Sequence, residues 1–206
     1  MGTHDRRARQ RQNLRQQILD AARELLVRDG YEGLSMRRVA ERIDYSPTAI
    51  YLHFKDKQQL VVSLCEETFA RLVKELDSLE QECPDPLVRL RTGMERYIAF
   101  GLKFPNHYVP AFILPHPEVL DPQQKADMLG ADSNSMRALG TLRSAIAAGV
   151  KAKKLRKVDP DITARAFWAA LHGLTAALIV HHEFPWGNRE KVTRTLIDSL
   201  IEGVKR

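Results

Sequence analysis

The sequence predicts an all-α protein of about nine helices, a small three-helix unit followed by a larger helical body. Three observations carry this. Apolar residues recur at three- and four-residue intervals through most of the chain. No stretch alternates apolar and polar residues as a half-buried strand does. Ser, Asp, Pro and Gly stand at the breaks, where helix ends use them.

Residues 1–10 are polar and basic, with nothing to bury, and are expected to be disordered or transiently helical. Periodicity begins near Leu14 and continues through Ile18, Ala21, Ala22, Leu25 and Leu26, until Asp29-Gly30 ends the helix with Gly30 suited to a left-handed cap. Ser35 caps a second helix whose buried stripe is Val39, Ala40 and Ile43. Asp44-Tyr45-Ser46 is a turn; Ser46 caps a third helix, with Pro47 at its first position, running to about His53. At ~1.5 Å per residue that helix is about 10 Å long, too short to stand alone. Asp56 caps a long fourth helix with Leu60, Leu64, Leu72, Val73, Leu76 and Leu79 inward. Cys83-Pro84-Asp85-Pro86 breaks the pattern before a fifth helix carrying Leu87, Leu90, Met94, Tyr97, Ile98 and Leu102. Pro105, Pro110, Pro115 and Pro117 predict short kinked pieces over 104–118. Helical character returns from about Asp121 to Val150, with a break near 130–134. Lys151 to Lys157 reads as a solvated basic loop. Asp159-Pro160-Asp161 starts a helix reaching about His182; Phe184-Pro185-Trp186-Gly187 breaks it, and a last helix spans about 188–204.

Charge is uneven. Residues 1–57 hold 12 Lys/Arg against 8 Asp/Glu, and so carry +4 of the whole chain's +6. That asymmetry suits a polyanion partner for the N-terminal end. Two widely spaced cysteines, Cys65 and Cys83, form neither a disulfide framework nor a zinc ligand set. His116, His181, His182 and Glu183 make no convincing metal site either. No nucleophile–base pair or Gly-rich phosphate loop is present, so the expectation is no enzyme and no cofactor. The first residues lack a secretory pattern or a myristoylation signal. The longest uncharged run, 166–180, is shorter than the roughly 20 apolar residues of a membrane span. A soluble, cytoplasmic protein without a membrane partner is expected.

The stretch Ser35 to Lys57 has the form of a helix-turn-helix, whose second helix lies in the major groove with its N-terminal residues at base edges. Ser46, Pro47, Thr48 and Ala49 are small enough to let that helix approach bases, and Thr48 offers a hydroxyl or a methyl. Tyr51, His53 and Lys57 suit phosphate oxygens, while Arg37 and Arg38, in the first turn after Ser35, suit a bidentate guanine contact, Arg37 first. Lys55 joins Lys57 at the start of the fourth helix, where anions are favoured. Phe54 reads mainly as core. The candidate DNA-binding set is therefore Ser35, Arg37, Arg38, Ser46, Pro47, Thr48, Ala49, Tyr51, His53 and Lys57.

Residues 12–60, through ILDAARELLVRDGYEGLSMRRVAERIDYSPTAIYLHFKDKQQL, resemble the DNA-binding domain of the tetracycline-repressor (TetR/AcrR) family of bacterial regulators. Gly30-Tyr31, Ser35, Val39-Ala40, Tyr51, His53-Phe54 and Lys57 fall on the family pattern. Ala49 stands where Thr is frequent, and Asp44-Tyr45 replaces the commoner Gly-Val. The resemblance implies a DNA-binding domain over 1–57, including a basic N-terminal arm, and a dimerisation and effector-binding domain over 58–206. FWAALHGLTAAL, with Trp168, His172 and Gly173, resembles the Trp-His-Gly subgroup.

The run 166–180 is apolar nearly all round, so its helix should be buried on two sides, one of them against a symmetry mate. A two-fold dimer would set two recognition helices about 34–36 Å apart over a pseudo-palindromic duplex operator. Phe104, His107, Tyr108, Phe112, Trp168 and His172 are the effector-binding candidates, as aromatic walls with polar tips, although each also suits an ordinary core. The leading expectation is a homodimeric repressor released from its operator by a small-molecule effector. The alternative is a DNA-binding activator or a regulator without an effector.

Overall fold

The computed structural model describes the backbone of residues 3–114 and 121–206, with side chains from Arg6 onward. The expectations for Pro115, His116 and Pro117 lie outside the described residues. The described chain is helical, with one isolated bridge between Leu155 and Lys205 and no strand. Among the described residues nine α-helices have five or more residues, and two α-helices have four.

The chain divides into two compact units, the first Met1–Thr68 with Asn106–Met128, the second Phe69–Pro105 with Leu129–Arg206. The first unit opens with α1, Thr3–Gly33. It begins far earlier than the apolar periodicity, because Arg, Gln and Ala propagate a helix well and no Gly or Pro intervenes before Gly30. Gly30 interrupts it at φ 70, ψ −175, a region essentially restricted to glycine. The break is where the sequence places it, but the backbone is extended rather than left-handed helical. Ile18, Leu19, Ala21, Ala22, Leu25 and Leu26 form the buried stripe.

Helices α2, Met36–Arg42, and α3, Pro47–Tyr51, follow. Ser35 Oγ accepts from Arg38 N at 3.2 Å and Ser46 Oγ from Ala49 N at 3.3 Å, so both expected caps form. α3 ends at Tyr51, two residues earlier than predicted, because Leu52 and His53 turn to bring Phe54 into the core at 1% exposure. Asp44, between α2 and α3, has φ 58, an unusual position for a side-chain-bearing residue. α4, Lys57–Leu76, starts under a reciprocal cap: Gln59 N donates to Asp56 Oδ1 at 2.7 Å and Lys55 N to Gln59 Oε1 at 2.5 Å. The α4 residues Leu60, Val61, Leu64 and Cys65 are buried with Ile50 and Phe54. Burial pushes the Cys65 thiol up to about 12, so it is inert packing rather than a nucleophile. Also in this unit, from its second residue on, α7, Pro105–Tyr108, leads into a π-helical turn, Val109–Ile113, that packs on α1. These are the kinked pieces the prolines predict. Helix α8, Pro122–Leu129, crosses the division between the units at its last residue.

In the second unit, α5, Leu79–Glu82, separates from α4 at Asp77-Ser78, so Leu79 belongs to a new helix. α6, Pro86–Lys103, is capped by Asp85 and packs against α9, Asn134–Lys151, and α10, Pro160–Val180, with α11, Arg189–Glu202, alongside. Arg96 on α6 donates to Glu75 O and Ser78 Oγ, each at 3.1 Å, and pins the α4–α5 corner. The basic segment after α9 is not a free loop. Leu155 is 2% exposed and lies so close to Gly149 that a Cβ there would meet Leu155 Cδ1 at 2.7 Å. Arg156 N donates to Val204 O at 2.9 Å and ties the segment to the C-terminus.

α10 buries Ala164, Phe167, Leu171, Thr175 and Leu178, one face only, while Ile162, Trp168 and Val180 are exposed. It includes Asp161 and Arg165 and is longer than its uncharged run. By length and composition alone it reaches the size of a membrane span, with 28% of its most apolar window buried within the chain.

Candidate nucleic-acid interface

α3 divides its residues sharply. Ile50 is completely buried and Ala49 half-buried, while Pro47, Thr48 and Tyr51 are exposed. Thr48, Tyr51 and Leu52 are spaced i, i+3, i+4 and so share one face. Tyr51 is 55% and Leu52 73% exposed. Large apolar side chains on the outside of a five-residue helix form a surface patch available to a partner. Leu52 was not singled out from the sequence, and the exposed Tyr45 was noted only as a departure from the family pattern; turning the buried Ile50 inward on a helical wheel would have found Leu52.

The cap hydroxyls of Ser35 and Ser46 accept backbone N–H groups, and each retains its own O–H to donate. Ser46 is exposed and Ser35 half-buried. The two arginines of α2 differ. Arg37 has an 82% exposed side chain and pairs with Glu41 at 2.8 Å, an exposed contact that is readily exchanged. Arg38 instead donates to Asp29 Oδ2 at 2.5 Å and to the Gly33 carbonyl, closing the α1 break. The guanidinium groups of Arg28 and Arg38 hold the Asp29 carboxyl down to about 2.

The Lys57 ammonium lies 3.7 Å from the centroid of the Tyr31 ring. Partial burial presses its pKa down, against Glu32, which raises it. The ring that follows Gly30 thus props the first side chain of α4. His53, half-buried, has its pKa lowered first by burial and then by the nearby charges of Arg11 and Arg15. Arg15 sits with its guanidinium 4.6 Å from the Phe54 ring centroid and donates to Ser63 Oγ at 3.3 Å.

The six effector candidates fall in both units. His107, Tyr108 and Phe112 belong to the first, where the Tyr108 ring is fully buried and stacks on Phe112 at 4.4 Å. Phe104, Trp168 and His172 belong to the second. Phe104 leans on Phe100 at 5.5 Å, and Trp168 stacks on His172 at 5.6 Å. Burial lowers the His172 pKa, which favours a neutral imidazole.

Residues 18–64 match the family model for bacterial regulatory proteins of the tetR family, and residues 90–203 match the tetracyclin repressor-like C-terminal domain. The HTH-type transcriptional repressor AcnR of Corynebacterium efficiens is 37% identical over 89 residues, covering 41% of this chain and 44% of that one. The match thus spans less than half the length of this curated relative. The TetR family regulator PfmR of Thermus thermophilus superposes with a TM-score of 0.72 at 25% identity, over 92% of this chain and 96% of that one. FadR of Bacillus subtilis, solved in complex with stearoyl-CoA, gives 0.78 at 16% identity, over 92% and 98%, a likeness of fold. This chain belongs to the tetR family of bacterial regulatory proteins, a family of transcriptional regulators rather than enzymes.

Proposed function

We propose that this chain is a sequence-specific DNA-binding transcriptional regulator. In this reading it is a homodimeric repressor of the cytoplasm, released from a pseudo-palindromic operator by a small-molecule effector. The observation that carries it is the split of α3. Its buried side locks onto α2 through Ile50, and its outer side presents Ser46, Pro47, Thr48 and Tyr51 on a helix too short to stand alone. Residues 1–57 then act as the DNA-binding domain and 58–206 as the dimerisation and effector domain. Arg37 reaches a base edge by leaving Glu41, and Lys57 and His53 contact phosphates. Arg38, tied to Asp29 and Gly33, orients α2 from behind.

The single buried face of α10 supports the dimer. Ile162 at 67% exposure and Trp168 at 39% lie on helix surface that a second copy would cover. Release by an effector requires different affinities for DNA-competent and incompetent states. The aromatic candidates for an apolar ligand are His107, Tyr108 and Phe112 within the first unit, and Phe104, Trp168 and His172 within the second.

An unbiased duplex selection with the full chain tests the reading, and enrichment of no sequence would refute it. On the selected duplex, Lys57→Ala should weaken all sequences alike and lower the salt slope by ~0.9 per lost phosphate contact. Arg37→Ala should relax one base position, costing ~1–3 kcal/mol of discrimination there. Titration with stearoyl-CoA, the ligand named for the FadR structure, is a first effector probe; unchanged duplex affinity at saturation excludes that ligand.

A further inference from the structure

Residues 6–13 of α1 pack no core. Residues 6–13 are all exposed, and core burial begins only at Ile18. Between residues 6 and 17 there are five arginines and no acid. Arg7, Arg11 and Arg15 recur every fourth residue, and at 100° per residue they fall within one narrow sector with Ile18, Ala22 and Leu25. The face that packs into the first unit two turns later is therefore, in the extension, a row of guanidinium groups ~6 Å apart along the axis.

Like charges at this spacing repel one another and destabilise a helix. Among the described residues Arg7 and Arg11 make no ion pair and no side-chain hydrogen bond that would offset it. The row is also anchored. Arg15 is held over Phe54, three residues after the end of α3, and bonded to Ser63, and the charges of Arg11 and Arg15 both act on His53. The arginine row thus starts at the C-terminal end of α3 and leads away from it.

We propose that this row is a second phosphate-binding strip, continuous with His53, which follows the DNA backbone beyond the bases α3 reads. The inference rests on the DNA-binding reading above. Charge complementarity to a polyanion and continuity with the α3 surface favour duplex DNA as the occupant. Guanidinium groups in a row contact phosphates without reading sequence. The strip therefore lengthens the footprint and adds affinity, and leaves base preference to α3.

The test uses the full chain and the duplex selected with it, prepared once at the length of the selected core and once with ten further base pairs on each side. Affinity is measured by fluorescence anisotropy over a series of NaCl concentrations. Arg7→Gln with Arg11→Gln should lower the salt slope on the long duplex by about 1.8 per protomer, from ~0.9 per phosphate. The short duplex should lose less, and the selected sequence should stay the same. Arg7→Lys with Arg11→Lys should restore the slope, and Lys151→Gln with Lys153→Gln, a charge-matched change in the second unit, should leave it unaltered. A wild-type slope for the glutamine variant on the long duplex overturns the strip, as does a changed selected sequence. If the wild-type chain selects no sequence, the DNA-binding reading itself has failed, which is a distinct result.

Discussion

The ion pair between Arg23 and Glu67 should be the strongest single polar link inside the first unit. Arg23 Nη2 lies 2.5 Å from Glu67 Oε2, with side-chain exposures of 9% and 18%. Arg23 Nη1 also meets Asp20 at 2.5 Å, and Gln16 donates to Glu67 Oε1 at 3.3 Å. Two α1 residues thus grip one carboxylate on α4, the helix whose first residue is Lys57. Removing Glu67 would leave a guanidinium buried with only the half-exposed Asp20 beside it. Breaking a fully buried pair costs ~3–5 kcal/mol, and the remaining Asp20 contact with the residual exposure of Glu67 reduces that to ~2–3 kcal/mol for Glu67→Ala. Replacing both partners by Met should cost less than either single change to Met, giving a coupling of at least ~3 kcal/mol in the double-mutant cycle. Trp168 and Trp186 both lie in the second unit, so indole fluorescence is the wrong probe. Urea unfolding should be followed by hydrogen exchange of the α1 amides between Ile18 and Leu26, alongside far-UV circular dichroism. Additive effects within about 0.5 kcal/mol would refute the clamp.

Two further outcomes follow from the backbone and the charges of the same unit. Asp44→Gly should raise stability by ~0.5–1 kcal/mol, because the strain of a Cβ at φ 58 is removed and exceeds the extra unfolded-state entropy of glycine; a lowered urea midpoint would contradict this. Asp29, whose folded pKa is depressed from 3.8 to about 2, contributes stability that is present above pH ~4 and is lost as pH falls toward 2. The stability gap between wild type and Asp29→Asn should therefore close over that window in thermal melts at stepped pH, and a gap independent of pH would exclude Arg28 and Arg38 as its source.

Much of the local structure was legible because it depends on neighbours in the chain. Ser35, Ser46 and Asp56 cap helices as their side chains require, and Gly30 breaks α1 where a Cβ would be disfavoured. Phe54 and Ile50 go inward because their spacing leaves them no outward role. Other features were not legible. Leu155 docks on Gly149, and the segment after α9 pairs with the C-terminus, although its lysines read as a solvated loop. Arg38 shares its residue type with Arg37 and stands beside it, yet one closes the α1 break and the other faces solvent.

The sequence alone determined the helical class, the helix-turn-helix and its caps, and the basic N-terminal end, because periodicity, capping and charge are properties of short stretches. Tertiary structure decided which charges are occupied and which are open. Arg23 is buried against a carboxylate 44 residues away, Lys57 rests on the Tyr31 ring, and Arg7 and Arg11 project past the core. A side chain's partner depends on which distant segments the fold brings within a few ångströms, and no local pattern encodes that distance.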